Sequence, residues 1–247
     1  MPRDNLIPPL LGYFTMAGGE PVWTPASISG LALWFDFSDA TTMFTDDGTT
    51  PVSTTGDLIY RANDKSVNVK HAVQATENIR PEYTTNQING LSSCRFTGTS
   101  DKLTMASATT VATATIFIVL DVVSAASYSI IIDGQEANKS AIGTQYSGVI
   151  RASTQTSGYV NLTDNQLGDG IFSFVYNGST FKIYKNGTDV TSGTPSGTGN
   201  WIFSTLGCFG TGSTMNVGIG EFIAYSGALT DANRQLVEAY LTAKWVA

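Results

Sequence analysis

The feature that most constrains this chain is a succession of short segments in which apolar and polar residues alternate, ending in one amphipathic helix. The clearest segment is 29–37. One face of it carries Leu31, Leu33, Phe35 and Phe37. Alternation with a period of two is typical of a β-strand with one buried side. Strands of this kind must pack as sheets against each other, so the sequence predicts an all-β antiparallel sandwich.

Further strands and turns are predicted along the chain. The run 115–123 (TIFIVLDVV) is rich in β-branched residues, which predicts a central strand buried on both faces. We expect the next apolar stretch, 127–134, to pair with it. Two hairpins are predicted within 170–190, because Asn177-Gly178 and Asn186-Gly187 supply the positive φ angles that tight turns require.

The C-terminal segment predicts a single helix. Thr230 precedes it and carries a hydroxyl that can accept a hydrogen bond from an early backbone N–H. An apolar face at helical spacing follows, formed by Leu236, Val237, Tyr240, Leu241 and Trp245. We expect this face to pack on the sandwich rather than on a partner protein.

Residues 1–22 differ from the rest because they hold four of the eight prolines, interleaved with apolar residues. Proline is excluded from helix interiors and from central strands, so this arm is predicted to be extended. The arm either covers its own domain or docks on a neighbouring subunit. A proline-stiffened segment loses little entropy on docking, which favours the partner. The predicted contact residues are Ile7, Pro8, Pro9, Leu10, Leu11, Tyr13 and Phe14. One β domain is predicted for 23–247.

The charge balance excludes two classes of partner. The net charge is −7 and the pI is about 4.6, with Lys and Arg scattered singly. No basic stripe is present to follow a phosphate backbone or an anionic membrane, so neither nucleic acid nor membrane is predicted.

The N-terminus does not have the pattern of a secretory signal peptide. Asp4 offsets Arg3, and Pro8-Pro9 interrupt the apolar run. No stretch approaches the roughly 18 apolar residues that span a bilayer. We expect the protein to be synthesised in the cytoplasm and to leave it only as part of a larger particle.

Two cysteines, Cys94 and Cys208, both lie in alternating apolar runs. Each behaves as a small buried apolar residue, or the two form a disulfide between strands. The small number of cysteines favours free thiols, because secreted disulfide frameworks usually contain more.

Four stretches resemble the concanavalin A-like, laminin-G-like jelly-roll domains of tailed-bacteriophage virion proteins and many secreted bacterial proteins. They are SGLALWFDFSDATTM (29–43), NDKSVNVKHAVQATENIRPEY with INGLSSCRFTGTSDKLTM (63–83 and 88–105), FVYNGSTFKIYKNGTDV (174–190) and GEFIAYSGALTDANRQLVEAYLTAKW (220–245). The resemblance implies an antiparallel jelly roll with one concave face and loops at its rim. It does not select a function, because the family includes lectins, glycanases and structural modules.

Carbohydrate binders of this family usually hold Ca²⁺ through Asp and Asn on loops. The acidic loop residues here are Asp46, Asp47, Asp133, Asp164 and Asn165. None of them forms a loop with regularly spaced oxygen ligands, so no metal or other cofactor is predicted, and a structural calcium ion is left open.

The chain lacks a recognisable catalytic set. Glycanases of this family carry an E-x-D-x-x-E strand that places two carboxylates about 5–5.5 Å apart, and no such run occurs. Asp36 and Asp39 are the nearest acidic pair and are explained by turn formation. The only histidine, His71, lies in a polar stretch and is interpreted as a surface or turn residue. We predict no catalytic residues and no enzymatic activity.

Three aromatic residues, Tyr146, Tyr159 and Trp201, lie among Gly, Ser, Thr and Asn. Aromatic rings in such surroundings are suited to stacking on sugars or on a partner protein. Packing in the core or at its rim is an equal alternative for each of them.

The leading interpretation is a non-enzymatic virion structural protein of a tailed bacteriophage, either capsid decoration or a tail or fibre module. It would contact other virion proteins through the arm and form a homo-oligomer on the particle. The alternative is a glycan-binding adhesin for host recognition, and a divergent glycoside hydrolase is the least favoured.

Removal of residues 1–22 tests the arm. If the arm is the attachment segment, the shortened chain stays folded by circular dichroism but no longer binds purified virions in a sedimentation assay. A shortened chain that unfolds, or that still binds, would assign the arm to its own domain.

Overall fold

The computed structural model describes residues 23–97, 100–125, 130–134, 140–144, 150–154, 160–162, 168–192, 199–207 and 215–246. Within them, strands form two antiparallel sheets that enclose an apolar core, and one helix, α1 (Asp231–Trp245), covers the outer face of one sheet. The predicted sandwich with a C-terminal helix is confirmed. The arm lies outside these residues, so the division at residue 22 stays a prediction.

The sheet beneath the helix, sheet I, has eight strands in the described residues. They are β1 (Leu31–Asp36), β5 (Glu82–Ile88), β6 (Leu91–Thr97), β8 (Ala114–Ala125), β13 (Gly170–Tyr176), β14 (Phe181–Lys185), β15 (Thr188–Asp189) and β18 (Met215–Tyr225). Their order is β15-β14-β13-β8-β18-β6-β5, and β1 pairs with the second half of β18.

The opposite sheet, sheet II, has ten strands in the same described part of the chain. They are β2 (Met43–Phe44), β3 (Arg61–Ala62), β4 (Ala72–Val73), β7 (Lys102–Val111), β9 (Ile130–Asp133), β10 (Ala141–Thr144), β11 (Ile150–Ser153), β12 (Val160–Leu162), β16 (Thr191–Ser192) and β17 (Trp201–Gly207). Their order is β16-β12-β11-β10-β9-β17-β7-β4-β3-β2. Short 3₁₀ helices lie at Pro25–Ser27, Ala40–Thr42 and Glu77–Ile79.

Strand β8 is buried on both faces, as predicted. Its inner side chains, Ile116 and Ile118, lie in the core between the sheets, whereas Phe117 and Val119 face the helix. The predicted pairing of 127–134 with this strand is wrong. Strand β9 belongs to sheet II, where it pairs with β10 and β17.

One residue of the first strand lies on the other face from the one predicted. Leu33, Phe35 and Phe37 are in the core between the sheets, but Leu31 packs against the cluster under the helix. The register shifts between Leu31 and Leu33 where β1 meets β18. A bulge of this kind breaks the alternation of faces.

Both predicted hairpins are present. β13 and β14 are joined by the turn at Asn177-Gly178, and β14 and β15 by the turn at Asn186-Gly187. Asn186 and Gly187 have φ angles of 49° and 78°, the left-handed values that such turns need.

Helix α1 begins as predicted, since Thr230 Oγ1 accepts the backbone N–H of Asn233 at 3.3 Å. Val237, Leu241 and Trp245 are buried on the outer face of sheet I, so the expected packing on the sandwich is confirmed. Gly220 of β18 makes room for the last turn. A Cβ atom there would lie 2.7 Å from the Trp245 ring.

A buried ion pair fixes the first half of the helix. Arg234 Nη1 donates to both carboxylate oxygens of Glu238 at 2.6 Å, and the guanidinium lies 3.7 Å from the centroid of the Tyr184 ring. Ser173 of β13 donates to the same carboxylate at 2.7 Å. The pair therefore joins α1 to both β13 and β14.

Replacement of Arg234 by Met tests this anchor. The apolar stem remains, but Glu238 is left as a buried charge without its partner, which typically costs about 3–5 kcal/mol of unfolding free energy. Equilibrium denaturation should show this loss, and the control Lys182→Met, at an exposed position of β14, should be near neutral. Equal stabilities of the two variants would contradict the account.

Candidate functional site

A cluster of buried charges joins β1, β18 and α1. Asp36 of β1 lies opposite Glu221 of β18 in the antiparallel ladder. Lys244 Nζ donates to Asp36 Oδ1 at 2.6 Å and to Glu221 Oε2 at 2.8 Å. Lys65 Nζ contacts the other oxygen, Asp36 Oδ2, at 3.1 Å. We call these four residues the charge cluster.

Glu221 is 0% exposed, but both of its carboxylate oxygens accept hydrogen bonds. The indole N–H groups of Trp34 and Trp245 donate to its two oxygens at 2.7 and 2.9 Å, and the Tyr240 hydroxyl donates at 3.0 Å. Burial and the nearby Asp36 raise the pKa of Glu221, although Lys244 opposes both effects. Burial also works to raise the pKa of Asp36, but Lys244, Ser38 and Lys65 outweigh it and hold that pKa below its ordinary value.

The charge cluster is not a hydrolytic carboxylate pair. A glycosidase needs both carboxylates in contact with substrate. Here Asp36 and Glu221 lie beneath the helix on sheet I, and Glu221 has no exposed surface. The predicted turn role of Asp36 and Asp39 is present as well, since Ser38 and Thr41 donate to their carboxylates.

The outer face of sheet II carries a row of residues that lie opposite one another across successive strands. The row contains Arg61, Val73, Thr104, Thr205, Asp133, Ala141 and Ser153. Its polar members on β17, β9 and β11 are buried, whereas Arg61 and Thr104 are half-exposed. Among the described residues, the accessible polar surface of this face is therefore limited to strands β3, β4 and β7.

A cleft of about 370 Å³ lies on the other sheet, at the end of α1. The helix has 15 residues and is about 22 Å long, whereas twelve-residue β8 extends for about 40 Å. The helix ends at Trp245, and the cleft lies beyond this end, beside the outer face of β8 from Val119, which is 2% exposed, to half-buried Asp121. We call this opening the α1-end cleft.

The interior surface of the α1-end cleft is apolar. Val119 and Ile171 come from the outer faces of β8 and β13, and both belong to the cluster that packs beneath the helix. Trp245 closes the side next to the helix, and Ile88 of the β5–β6 hairpin forms the opposite side.

Hydrogen-bonding side chains form one side of the rim and are held in place by their neighbours. Asp121 accepts from Gln87 Nε2 and pairs with Arg95 Nη1 at 3.2 Å. Both bonds go to the same oxygen, Oδ2. Gln87 belongs to a distorted part of the β5–β6 hairpin, where the register shifts between Thr84 and Ile88.

The other side of the rim is fixed by backbone groups. Asp169 accepts the N–H of Val122 at 2.8 Å, and Asn186 Oδ1 accepts the N–H of Ile171 at 2.9 Å. Gly170 has a φ of 145°, and a Cβ atom there would lie 2.8 Å from Asn186 Oδ1. Glycine at this position therefore makes room for the asparagine side chain.

The electrostatics of the α1-end cleft favour ligands without negative charge. Asp121 and Asp169 are both at its rim, and the C-terminal end of α1, which carries the negative end of the helix dipole, lies beside them. Arg95 pairs with Asp121 and Lys185 is attracted by Asp169, so the negative end of the helix dipole is the source of negative potential that has no basic side chain assigned to it.

Of the three aromatic residues predicted for sugar binding, only Trp201 lies in the described chain. It is 0% exposed and packs against Tyr176, Phe181 and Phe203, so the packing alternative is the correct one. Tyr146 and Tyr159 lie outside the described residues. So do the seven predicted contact residues of the arm, whose docking stays a prediction.

The other residues singled out in the sequence have structural roles where they are described. Cys94 is a free, fully buried cysteine, whereas Cys208 lies outside the described residues. His71 is half-buried, and its Nδ1 accepts the backbone N–H of Asp64 at 3.1 Å. Burial lowers the pKa of His71.

Asp46 and Asp47 stabilise their own loop, whereas Asp133 is not in a loop but ends strand β9. The carboxylate of Asp46 accepts from Thr49 and Thr50, and Asp47 pairs with Arg61. Asp133 is buried, and 164–165 lie outside the described residues. In the described part of the chain, no three His, Cys, Asp or Glu side chains are grouped so as to hold a metal ion. No helix described there is both long and apolar enough to cross a membrane.

The residues of the α1-end cleft were not predicted as a site. Asn186 was recognised only as a turn residue, and Trp245 only as part of the helix face. One signal was present, because Asp121 interrupts an otherwise apolar strand. A charge in such a run marks a place where the strand leaves the core or meets a partner group.

Comparison with known proteins shows the fold. No protein-family model matches the chain, and no curated protein matches it. A GH54 α-L-arabinofuranosidase soaked with a cyclic sulfate inhibitor has a similar structure, with a TM-score of 0.56 at 13% identity. The botulinum neurotoxin serotype D ligand binding domain in complex with N-acetylneuraminic acid gives 0.51 at 13%, and Trypanosoma rangeli sialidase gives 0.50 at 10%.

The matched regions cover 91%, 83% and 90% of this chain, but only 61%, 52% and 34% of those three proteins respectively. At such identities the likeness shows a shared jelly-roll-like β-sandwich. The connection with phage virions stays a prediction.

Proposed function

We propose that this protein is a non-catalytic glycan-binding module that holds one neutral sugar ring in the α1-end cleft. The observation that carries the proposal is the combination of an apolar interior with a rim of fixed hydrogen-bonding side chains in one cleft of suitable size. Ligand sites in proteins are typically clefts of about 300–1,000 Å³ with this composition. The cleft volume of about 370 Å³ suits a single ring rather than a long oligosaccharide.

The chemistry of a sugar ring matches the two surfaces of the cleft. The C–H groups of one ring face can pack on Ile88 and Val246, the apolar side chains of the lining that have accessible surface, because Val119 and Ile171 beneath them are only 2% exposed. The hydroxyl groups can donate to the carboxylates of Asp121 and Asp169 and exchange hydrogen bonds with the amide of Asn186. Because these side chains are already held by neighbouring groups, little entropy is lost when a ligand orders them.

The rim charge predicts which sugars are excluded. A carboxylate on the sugar would approach the C-terminal end of the helix, whose dipole repels it, whereas the charges of Asp121 and Asp169 are offset by Arg95 and Lys185. The fold is shared with a toxin domain whose structure contains N-acetylneuraminic acid. We expect the opposite preference here, for neutral glycans over sialylated ones.

We propose a binding module because both aspartates of the cleft are already engaged by neighbouring groups, and Asp169 accepts the backbone N–H of Val122. Its lining contains neither glutamate nor histidine. Asp121 is engaged by Arg95 and Gln87, which leaves it as an acceptor rather than a proton donor.

A role on a virion is a separate proposal about location. It is supported by the proline-rich arm and is compatible with glycan binding.

Replacement of Asp121 by Asn tests the site. The shape of the side chain is kept, but one charged acceptor is lost, and hydrogen bonds to charged groups contribute about 1.5–3 kcal/mol. The affinity for a neutral glycan found on an array should therefore fall roughly ten- to a hundredfold in isothermal titration calorimetry.

Asp47→Asn is the matched control, because Asp47 is exposed and pairs only with Arg61 outside the cleft. It should bind like the unaltered protein. An Asp121→Asn variant with unaltered affinity, or a protein that binds only sialylated glycans, would contradict the proposed site.

A further inference from the structure

The charge cluster contains the three side chains needed to form an amide bond between the first strand and the last helix. We propose that Lys244 and Asp36 condense to an intramolecular isopeptide bond, with Glu221 as the catalytic residue that moves the proton. This reaction is independent of glycan binding, because none of the three residues lines the α1-end cleft.

The reacting atoms are already in contact. Lys244 Nζ lies 2.6 Å from Asp36 Oδ1, and Glu221 Oε2 lies 2.8 Å from the same nitrogen. Asp36 and Glu221 are held opposite each other by the β1–β18 ladder, so their separation does not depend on flexible loops. Groups held in such positions react as though at effective concentrations on the order of 10⁵–10⁸ M.

The ion pair is the resting form, because Lys244, Ser38 and Lys65 hold the pKa of Asp36 below its ordinary value, but burial reduces the cost of forming the neutral reactants from it. Trp34, Tyr240 and Trp245 enclose Glu221, and the side chains of Asp36 and Glu221 are 8% and 0% exposed. In a site with little water, transfer of a proton from an ammonium group to a carboxylate removes two charges that are poorly solvated. The amine and carboxylic acid that result are the forms that condense.

The step balances without any co-reactant. The first proton passes from the ammonium group of Lys244 to the carboxylate of Asp36, and the neutral nitrogen attacks Cγ of Asp36. Glu221 accepts a second proton from the nitrogen and returns it to the departing oxygen. The N–C bond forms, the C–O bond breaks, one water molecule leaves, and Glu221 is regenerated.

Two neighbouring features support these roles. The raised pKa of Glu221 suits a group that takes up a proton and returns it. Lys65 Nζ lies 3.1 Å from Asp36 Oδ2, where it can stabilise the negative charge that develops on that oxygen during attack.

Lys244 is the nucleophile rather than Lys65. Lys65 contacts Asp36 and Asp39, at 3.1 and 3.0 Å, but has no glutamate beside it to carry the second proton. Lys244 contacts both an aspartate and a glutamate. The resulting bond would connect positions 208 residues apart. A cross-link over so long a stretch restricts the unfolded chain strongly.

Mass spectrometry of the denatured full-length chain tests the proposal. The expected mass is lower by one water molecule than the mass of the sequence. Trypsin should release peptide 4–61 joined to 235–247, because the modified Lys244 is no longer a cleavage site. A chain with the full sequence mass, or a bond mapped from Lys65 to Asp36 or Asp39, would overturn the proposal.

Variants distinguish loss of the condensation reaction from loss of folding. Lys244→Arg keeps the positive charge but should show the full mass, and Glu221→Gln should show no bond or at least a tenfold slower loss of water. Lys182→Arg, at an exposed position of β14, should lose the water molecule like the unaltered chain. Circular dichroism identifies variants that fail to fold, and the tryptic map of the unaltered chain decides the question without them.

Discussion

Glu221 lies completely buried between sheet I and the helix, and four groups donate hydrogen bonds to it from β1 and α1. An unpaired carboxylate at this depth would cost several kcal/mol, so the helix can adopt only a position that satisfies it. This requirement, with the Arg234–Glu238 pair at the other end, sets where α1 lies on the sheet. The place where the helix stops then determines where the cleft beside the outer face of β8 begins.

The parts of the fold that depend on local sequence could be predicted. Alternation identified the strands, Asn-Gly pairs identified the hairpins, and Thr230 marked the start of the helix, because each depends on neighbours within a few residues. Pairing between strands is non-local, so 127–134 was assigned to the wrong sheet. The position of Leu31 was missed because a bulge does not alter the apolar pattern.

The candidate site could not be predicted, because its residues come from separate parts of the chain. Gln87, Asp121, Asp169 and Asn186 meet only after β5, β8, β13 and β14 have taken their places in sheet I. For Trp201 the error was the opposite one, because a core residue was predicted as a candidate binding residue. Its polar neighbours in sequence suggested the surface, whereas its position in β17 directs the ring into the core.

In the proposed binding mode, the end of α1 and the adjoining part of β8 together hold a neutral sugar. Titration of the ¹⁵N-labelled protein with that sugar, followed by the tryptophan indole N–H signals in two-dimensional NMR, tests it most directly. The account predicts that the signal of Trp245, which borders the cleft, moves with saturation, while that of Trp201 in the core stays in place. An unmoved Trp245 signal at a ligand concentration where binding is measured by calorimetry would contradict it.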